Sequence, residues 1–227
     1  MLDPPDEDVT GRRLVVYVPD EMDLWSREHF VTTLAATDST LADHFRTTLQ
    51  TALETRVRFE QVDVLRPPDA LALTRQRFRL VERRHETTRV VGLPVAGTVL
   101  SDAAGAPDYV VFLDPLEFVR LSSTPEFSSP GVHGPPMPGQ PGAVPVFPGM
   151  RARYEGEWRT GATLWDNRAG APVFLTPVRG EGPLMEVRDG ALGAARPTGQ
   201  TWTESIADLA DEMAEGLRLA RTGASDG

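Results

Sequence analysis

Asp108-Tyr109-Val110-Val111-Phe112-Leu113 is the stretch on which the fold turns. From Tyr109 to Leu113 neither alternating set of side chains carries a charge, so both faces of a strand built here must be covered. Such a strand belongs at the centre of a sheet. On its N-terminal side, Arg13-Leu14-Val15-Val16-Tyr17-Val18-Pro19 is a second β-branched run, stopped by proline, and is expected to be another buried strand.

Between these two, Leu41, Phe45, Leu49 and Leu53 recur every four residues and predict an amphipathic helix. Asp38, Ser39 or Thr40 can cap it, with Asp43 three residues after Thr40 as in a capping box. Arg56 to Leu65 alternates Val57 and Phe59, then Val62 and Val64, with a slip of phase that suggests a bulged strand ended by Pro67-Pro68. A second helix is expected from Asp69 to about Glu86, through Leu71, Phe78 and Val81. Pro94 limits the next segment to a short helical turn near Val95 to Ser101.

Beyond the central strand, Leu113–Arg120 and Arg151–Asp166 are expected to pair. In the latter, Ala152, Tyr154, Gly156 and Trp158 alternate with Arg151, Arg153, Glu155, Glu157 and Arg159, the pattern of an antiparallel strand with one wet face. Asn167-Arg168-Ala169-Gly170 makes a turn, Pro172 to Arg179 returns as hairpin partner, and residues 180–200 read as irregular. Eight prolines between Pro125 and Pro148, interleaved with glycines, make residues 122–150 a long Pro/Gly-rich loop insertion that cannot be a helix or a central strand. The last element is a helix capped by Thr201 with Glu204 completing the box. Trp202, Ile206, Leu209, Met213 and Leu217 form its apolar stripe, Asp208, Asp211, Glu212 and Glu215 face water, and Gly223 ends it. The expected fold is α+β: a single domain over residues 11–221, with one mixed β-sheet packed against two to four helices and flexible termini at 1–10 and 222–227.

Composition removes whole classes of chemistry. All 23 basic residues are arginine and there is no cysteine. Schiff-base lysines, Walker-type phosphate clamps, thiolate nucleophiles, disulfides and cysteine zinc sites are excluded. A net charge of −10 opposes general nucleic-acid binding. The local exception is Arg75, Arg77, Arg79, Arg83 and Arg84, which reads either as a solvated helix face or as a patch for phosphate or lipid headgroups. No run of about 18 apolar residues would span a membrane. Met1 to Asp8 is acidic where a secretory leader would be basic. The chain is expected to be either cytoplasmic or a mature form whose leader has been replaced.

Catalytic patterns are sparse. His29, His44, His85 and His133 show no metal-ligand spacing, and His44 beside the apolar stripe reads as a packing residue. No G-x-S-x-G elbow is present, and no G-x-G-x-x-G follows the first strand. Asp114 and Glu117, after the central strand, form a candidate acid/base pair for a carboxylate-based hydrolase. That chemistry would need a concave pocket and a strongly raised carboxylate pKa.

The order of elements resembles a known group. A strand GRRLVVYVP leads to a helix LADHFRTTLQTALE, a strand RFEQVDVL and a further helical region. Gly105-Ala106-Pro107-Asp108-Tyr109-Val110-Val111 then opens the central strand, and a long strand ends in Thr163-Leu164-Trp165-Asp166 before a turn, a return strand and a C-terminal amphipathic helix. This pattern, over about residues 11–220, is similar to bacterial envelope lipoproteins of the curli-secretion (CsgG-like) group. Its relatives include the amino-terminal domain of TolB and the outer-membrane activators of penicillin-binding proteins. The resemblance implies a periplasmic assembly module, anchored to the outer membrane by a lipidated cysteine that this chain lacks. It brings no catalytic residues and no cofactor. The partners it implies are envelope proteins and a possible homo-oligomer, with no nucleic acid, and membrane contact only through the anchor. Binding is expected through one sheet edge or through the Pro-rich loop, with Phe127, Val132, His133, Met137, Val146 and Phe147 as loop contacts. As an alternative, Arg75, Arg79 and Arg83 on a helix would bind an anion or a lipid headgroup.

Overall fold

The computed structural model describes residues 12–69, 71–82, 85–121, 124–127, 150–186 and 195–223. Strands β1 (Arg13–Tyr17) and β2 (Met22–Leu24) open the chain, followed by helices α1 (Arg27–Thr33) and α2 (Leu41–Glu54). Next come β3 (Gln61–Leu65), β4 (Thr74–Glu82), β5 (His85–Leu93), β6 (Tyr109–Leu113), β7 (Leu116–Arg120) and β8 (Thr124–Phe127). The chain continues through β9 (Met150–Arg153), β10 (Glu155–Asp166), β11 (Ala171–Pro183), β12 (Met185–Glu186), β13 (Ala195–Arg196) and α3 (Gly199–Gly223).

Among the described residues the main sheet has seven strands in the order β2-β7-β10-β6-β1-β3, with β11 also paired to β10. The registers show that several of these strands are halves of longer rows. Leu14 faces Tyr109 and Leu24 faces Phe118, so β1 and β2 track β6 and β7 in parallel along nearly the same line. Leu113 faces Ala162 while Glu117 faces Arg159, so four steps on one row match three on the other. The extra residue is a bulge at Asp114-Pro115, where the Asp114 N–H donates to Gly161 O at 2.9 Å and Thr160 Oγ1 donates to Asp114 O at 2.8 Å. The sheet is therefore mixed, with β1, β3 and β6 parallel and β10 and β11 antiparallel to their neighbours. The β6 row is innermost, flanked by β1 and β10, as its uncharged faces require.

All three helices lie on one face. Five rings meet there: Phe30, Phe45, Phe118, Trp158 and Trp202, with Phe45–Trp158 centroids 4.9 Å apart and Trp158–Trp202 5.6 Å. Edge-to-face contacts of this kind add to the area they bury. The stripe Trp202, Ile206, Leu209, Met213 and Leu217 is buried as its spacing predicts, each side chain contributing about 1.5–3 kcal/mol. The opposite face holds a smaller core of Val15, Tyr17, Val110, Phe112 and Trp165, closed by Val91 and Leu93 from β5 and by Leu100. Buried Asn167 fixes that closure: its side chain accepts from Leu100 N–H at 2.7 Å and donates to Leu100 O and Pro107 O, both at 2.8 Å.

Several local expectations are corrected. The expected helix 69–86 is a hairpin, β4 paired with β5 from Thr74↔Leu93 to Glu82↔His85. Arginine at every second position, interleaved with Gln76 and Phe78, is a period-two pattern; Thr74, Thr87, Thr88, Val90 and Val91 add β-branched preference, and Phe78 joins the smaller core. The turn after Pro94 is not helical. In the loop insertion, β8 and β9 pair from Thr124↔Arg153 to Phe127↔Met150, so 124–127 is strand, and Pro125 is tolerated in an isolated two-stranded pair. Residues 180–183 continue β11. The cap of α3 is Thr198: the Thr201 N–H donates to Thr198 Oγ1 at 3.1 Å and the Thr198 N–H to Thr201 Oγ1 at 2.9 Å, a reciprocal box one turn earlier than expected. Thr40 precedes α2 with no side-chain cap; its hydroxyl accepts from Thr37 N–H at 2.8 Å instead.

Candidate functional site

The sequence candidates do not converge. Val132, His133, Met137, Val146 and Phe147 lie outside the described residues, and Phe127 is placed only as the last residue of β8. Arg75 and Arg79 sit on strand β4, not on a helix, and Arg83 lies outside the described residues. Asp114 is half-buried at the bulge and Glu117 is exposed on β7. His44 is exposed, contrary to a packing role. Among the described residues no three His, Asp or Glu side chains group as metal ligands, and no helix is long and apolar enough to cross a membrane.

Four cavities among the described residues bear on the site. An apolar void of about 10 Å³ lies under α3 beside Val111, Leu164, Phe174 and Met213. A cleft of about 430 Å³ is lined by Arg56, Val57, Arg58, Phe59 and Leu217, and one of about 440 Å³ by Glu28, His29, Met185 and Arg196. The fourth, about 500 Å³, runs between α2 and β3 along Asp43, Arg46, Thr47, Gln50, Thr51, Glu54 and Val64 to Arg66. Asp114 and Glu117 line none of the four.

The α2–β3 cleft coincides with a sheet edge. Among the described residues the strand order ends at β3. The Val18 N–H donates to Leu65 O at 2.9 Å, so Leu65 turns its main chain toward β1. Alternation then aims the N–H and C=O of Val62 and Val64 away from the sheet. Consistent with that, the Val64 N–H meets Gln50 Oε1 across the cleft, at a long 3.4 Å. Arg46 anchors the cleft's far end: it is 9% exposed, donates to Val18 O at 3.1 and 3.2 Å, and pairs with Asp43 and Asp20. Below, Arg13 bridges Asp63 of β3 and Asp102, each at 2.7 Å, which ties the edge strand down. The Arg13 guanidinium holds the Asp102 carboxyl below its usual value of 3.8, and the two carboxylates raise the Arg13 pKa in return.

The other edge, β11, is capped along its C-terminal half. Glu212 accepts the Arg179 N–H, and Asp208 accepts the Glu181 N–H at 2.9 Å. Residues 208 and 212 are one helical turn apart, as 179 and 181 are two strand positions apart, so one helix face caps consecutive outward groups. Burial raises Glu212 above its usual 4.5, opposed by the Arg179 N–H; burial and then Glu155, Glu157 and Asp208 raise Glu181. The expectation that Asp208 and Glu212 simply face water missed this role, and so did a wet face at Glu157, which is 3% exposed and paired with Arg159. The signal available was Gly180 and Gly182 at alternate positions opposite the final helix.

No family model matches the chain, and no curated protein matches it. Among solved structures it is similar to the crystal structure of a proposed neuraminyllactose-binding hemagglutinin homolog from Helicobacter pylori. Identity is 7% over 95% of this chain and 90% of that one, with a TM-score of 0.38. At that TM-score the likeness carries no argument about fold or function.

Proposed function

We propose that this protein is an accessory or scaffold module of the bacterial cell envelope, periplasmic and outer-membrane associated, a lipoprotein in its natural form, that binds other envelope proteins by strand addition at β3. The observation that supports it is the pairing of a sheet edge at Val62 and Val64, to which no strand is added among the described residues, with the cleft of about 500 Å³ beside α2. An extended partner segment laid there gains main-chain hydrogen bonds from the edge, while alternate side chains enter the cleft over Thr47, Gln50 and Thr51. The envelope setting rests on the resemblance in element order, from which this chain departs where the further helical region is the β4–β5 hairpin.

The test uses the full chain in its native cell with a photo-crosslinking residue at Leu65, which is 37% exposed at the edge. Crosslinking to one defined envelope protein is expected, reduced at least about tenfold by Thr47→Arg and Thr51→Arg, which fill the cleft. The same residue at Arg218 on α3 should not trap that protein. Equal trapping from both positions, insensitivity to the arginine variants, or recovery of the chain in the cytoplasmic fraction would each defeat the proposal.

A further inference from the structure

The β4–β5 ribbon reverses the charge of the molecule. Residues 74–93 hold Arg75, Arg77, Arg79, Arg83, Arg84 and Arg89 against Glu82 and Glu86, six cations less two anions, or +4 in a chain of −10. Its register sorts the side chains. Gln76↔Val91 and Thr74↔Leu93 share the face turned to the smaller core, where Val91 and Leu93 are buried. Arg75↔Gly92 and Arg77↔Val90 share the outward face, and position 79 lies two residues further along. Arg75 and Arg77 are exposed, and among the described residues neither side chain makes a hydrogen bond or ion pair. Elsewhere Arg13, Arg46, Arg56, Arg66, Arg168 and Arg218 each hold a carboxylate. The two free arginines are accompanied by uncovered aliphatics: Leu73 at 42% and Val90 at 51% on the same face, and Val95 at 57% and Val99 at 61% on the segment after β5.

We infer that this outward face docks on an anionic lipid surface. Arginines about 7 Å apart along one strand each reach a separate headgroup, while Leu73 and Val90 between and beside them reach the acyl boundary. None of the four cavities is lined by a residue of this face, and its exposed side chains are arginines and aliphatics with no aromatic anchor among Leu73, Arg75, Arg77 and Val90. Cationic side chains on an otherwise acidic body also set the orientation, because the rest of the surface is repelled. Membrane contact then does not depend on a lipid anchor alone, and this inference stands independently of strand addition at β3.

The test is flotation of the purified chain with phosphatidylcholine vesicles, with and without phosphatidylglycerol. Binding is expected only with phosphatidylglycerol, weakened by added salt. Arg75→Gln with Arg77→Gln should lower the partition roughly 25-fold, taking about fivefold per basic residue near an anionic surface. Val90→Asp should lower it further, and Arg218→Gln on α3 should leave it unchanged. Circular dichroism of each variant separates a lost surface from a lost fold. Equal flotation without phosphatidylglycerol, no flotation at all, or a double variant that is folded and binds normally would overturn the inference. Complete displacement by soluble glycerol phosphate would overturn it in favour of a free anion, and capture on polyglutamate alone in favour of an acidic protein.

Discussion

The two margins of one sheet are finished in opposite ways. At β11, α3 lies so close that a Cβ built on Gly180 would fall 2.1 Å from Ser205 O, and one on Gly182 2.7 Å from Thr201 O. That approach brings Asp208 and Glu212 onto the outward N–H groups of Glu181 and Arg179. At β3, α2 stands off by the width of a cleft, and a single amide, Gln50, reaches the strand at 3.4 Å. Unpaired strand edges invite association, and proteins close those they do not use. One edge is capped with the help of glycines and carboxylates, while among the described residues the other has a single weak contact; that asymmetry is what the proposed strand addition at β3 rests on.

The contrast breaks most sharply at Gly180. Gly180→Ala forces its Cβ into backbone that cannot yield, so α3 must lift and expose part of the Trp202 stripe. A loss of about 3 kcal/mol or more is expected, at the upper end of overpacking costs, read from urea unfolding. Gly92→Ala is the internal control. Its Cβ would meet only Leu73 at 3.5 Å, an ordinary contact, and stability should stay within about 0.5 kcal/mol. Equal effects at the two glycines would mean that α3 does not close β11 by contact.

The acidic cap also gives the two margins different responses to pH. Glu181 and Glu212 titrate above their usual 4.5 in the folded chain. Their contribution to stability is therefore fully present below about pH 4.5 and is lost as pH rises through the raised values. Asp102, on the β3 side, titrates below 3.8, so its contribution is present above that value and is lost as pH falls through the lowered one. Stability should rise as pH falls from neutral toward 4.5 and then decline in stronger acid. Glu212→Gln keeps an acceptor for the Arg179 N–H but removes the charge, so it should flatten the first limb and leave the acid limb unchanged. Urea midpoints at several pH values check both limbs; a variant that altered only the acid limb would contradict the assignment.

How far each margin is legible in the sequence depends on the range of the interactions that make it. The β6 strand, α2 and the Trp202 stripe rest on local periodicity, and they lie where residues 109–113, 41–53 and 202–217 put them. The β4–β5 ribbon escapes a sequence reading because Leu71, Phe78 and Val81 happen to fit a helical spacing, while the decisive alternation Arg75, Arg77, Arg79 also suits a charged helix face. The closed edge is a match between positions 179–181 and 208–212, and the open edge depends on where α2 comes to rest; neither is encoded within a single window. The bulge at Asp114-Pro115, which divides the central row and moves Asp114 and Glu117 out of simple alternation, is likewise a property of the pairing with β10.

The smallest expected effect sharpens the comparison most. Among the described residues Gln50 is the one side chain that reaches the outward main chain of β3, and its bond to the Val64 N–H is long. Gln50→Ala removes that bond and the link from Gln50 to Glu54, while alanine favours the helix by a few tenths of a kcal/mol. The net change in stability should stay within about 0.5 kcal/mol, below the worth of a well-made hydrogen bond. The Val64 amide should exchange faster with solvent, with no change at Arg179 or Glu181. Because an incoming strand needs that N–H, trapping of a partner at Leu65 should persist or rise. A loss above about 1.5 kcal/mol would instead place Gln50 among true edge caps, make β3 as closed as β11, and remove the asymmetry from which strand addition is inferred.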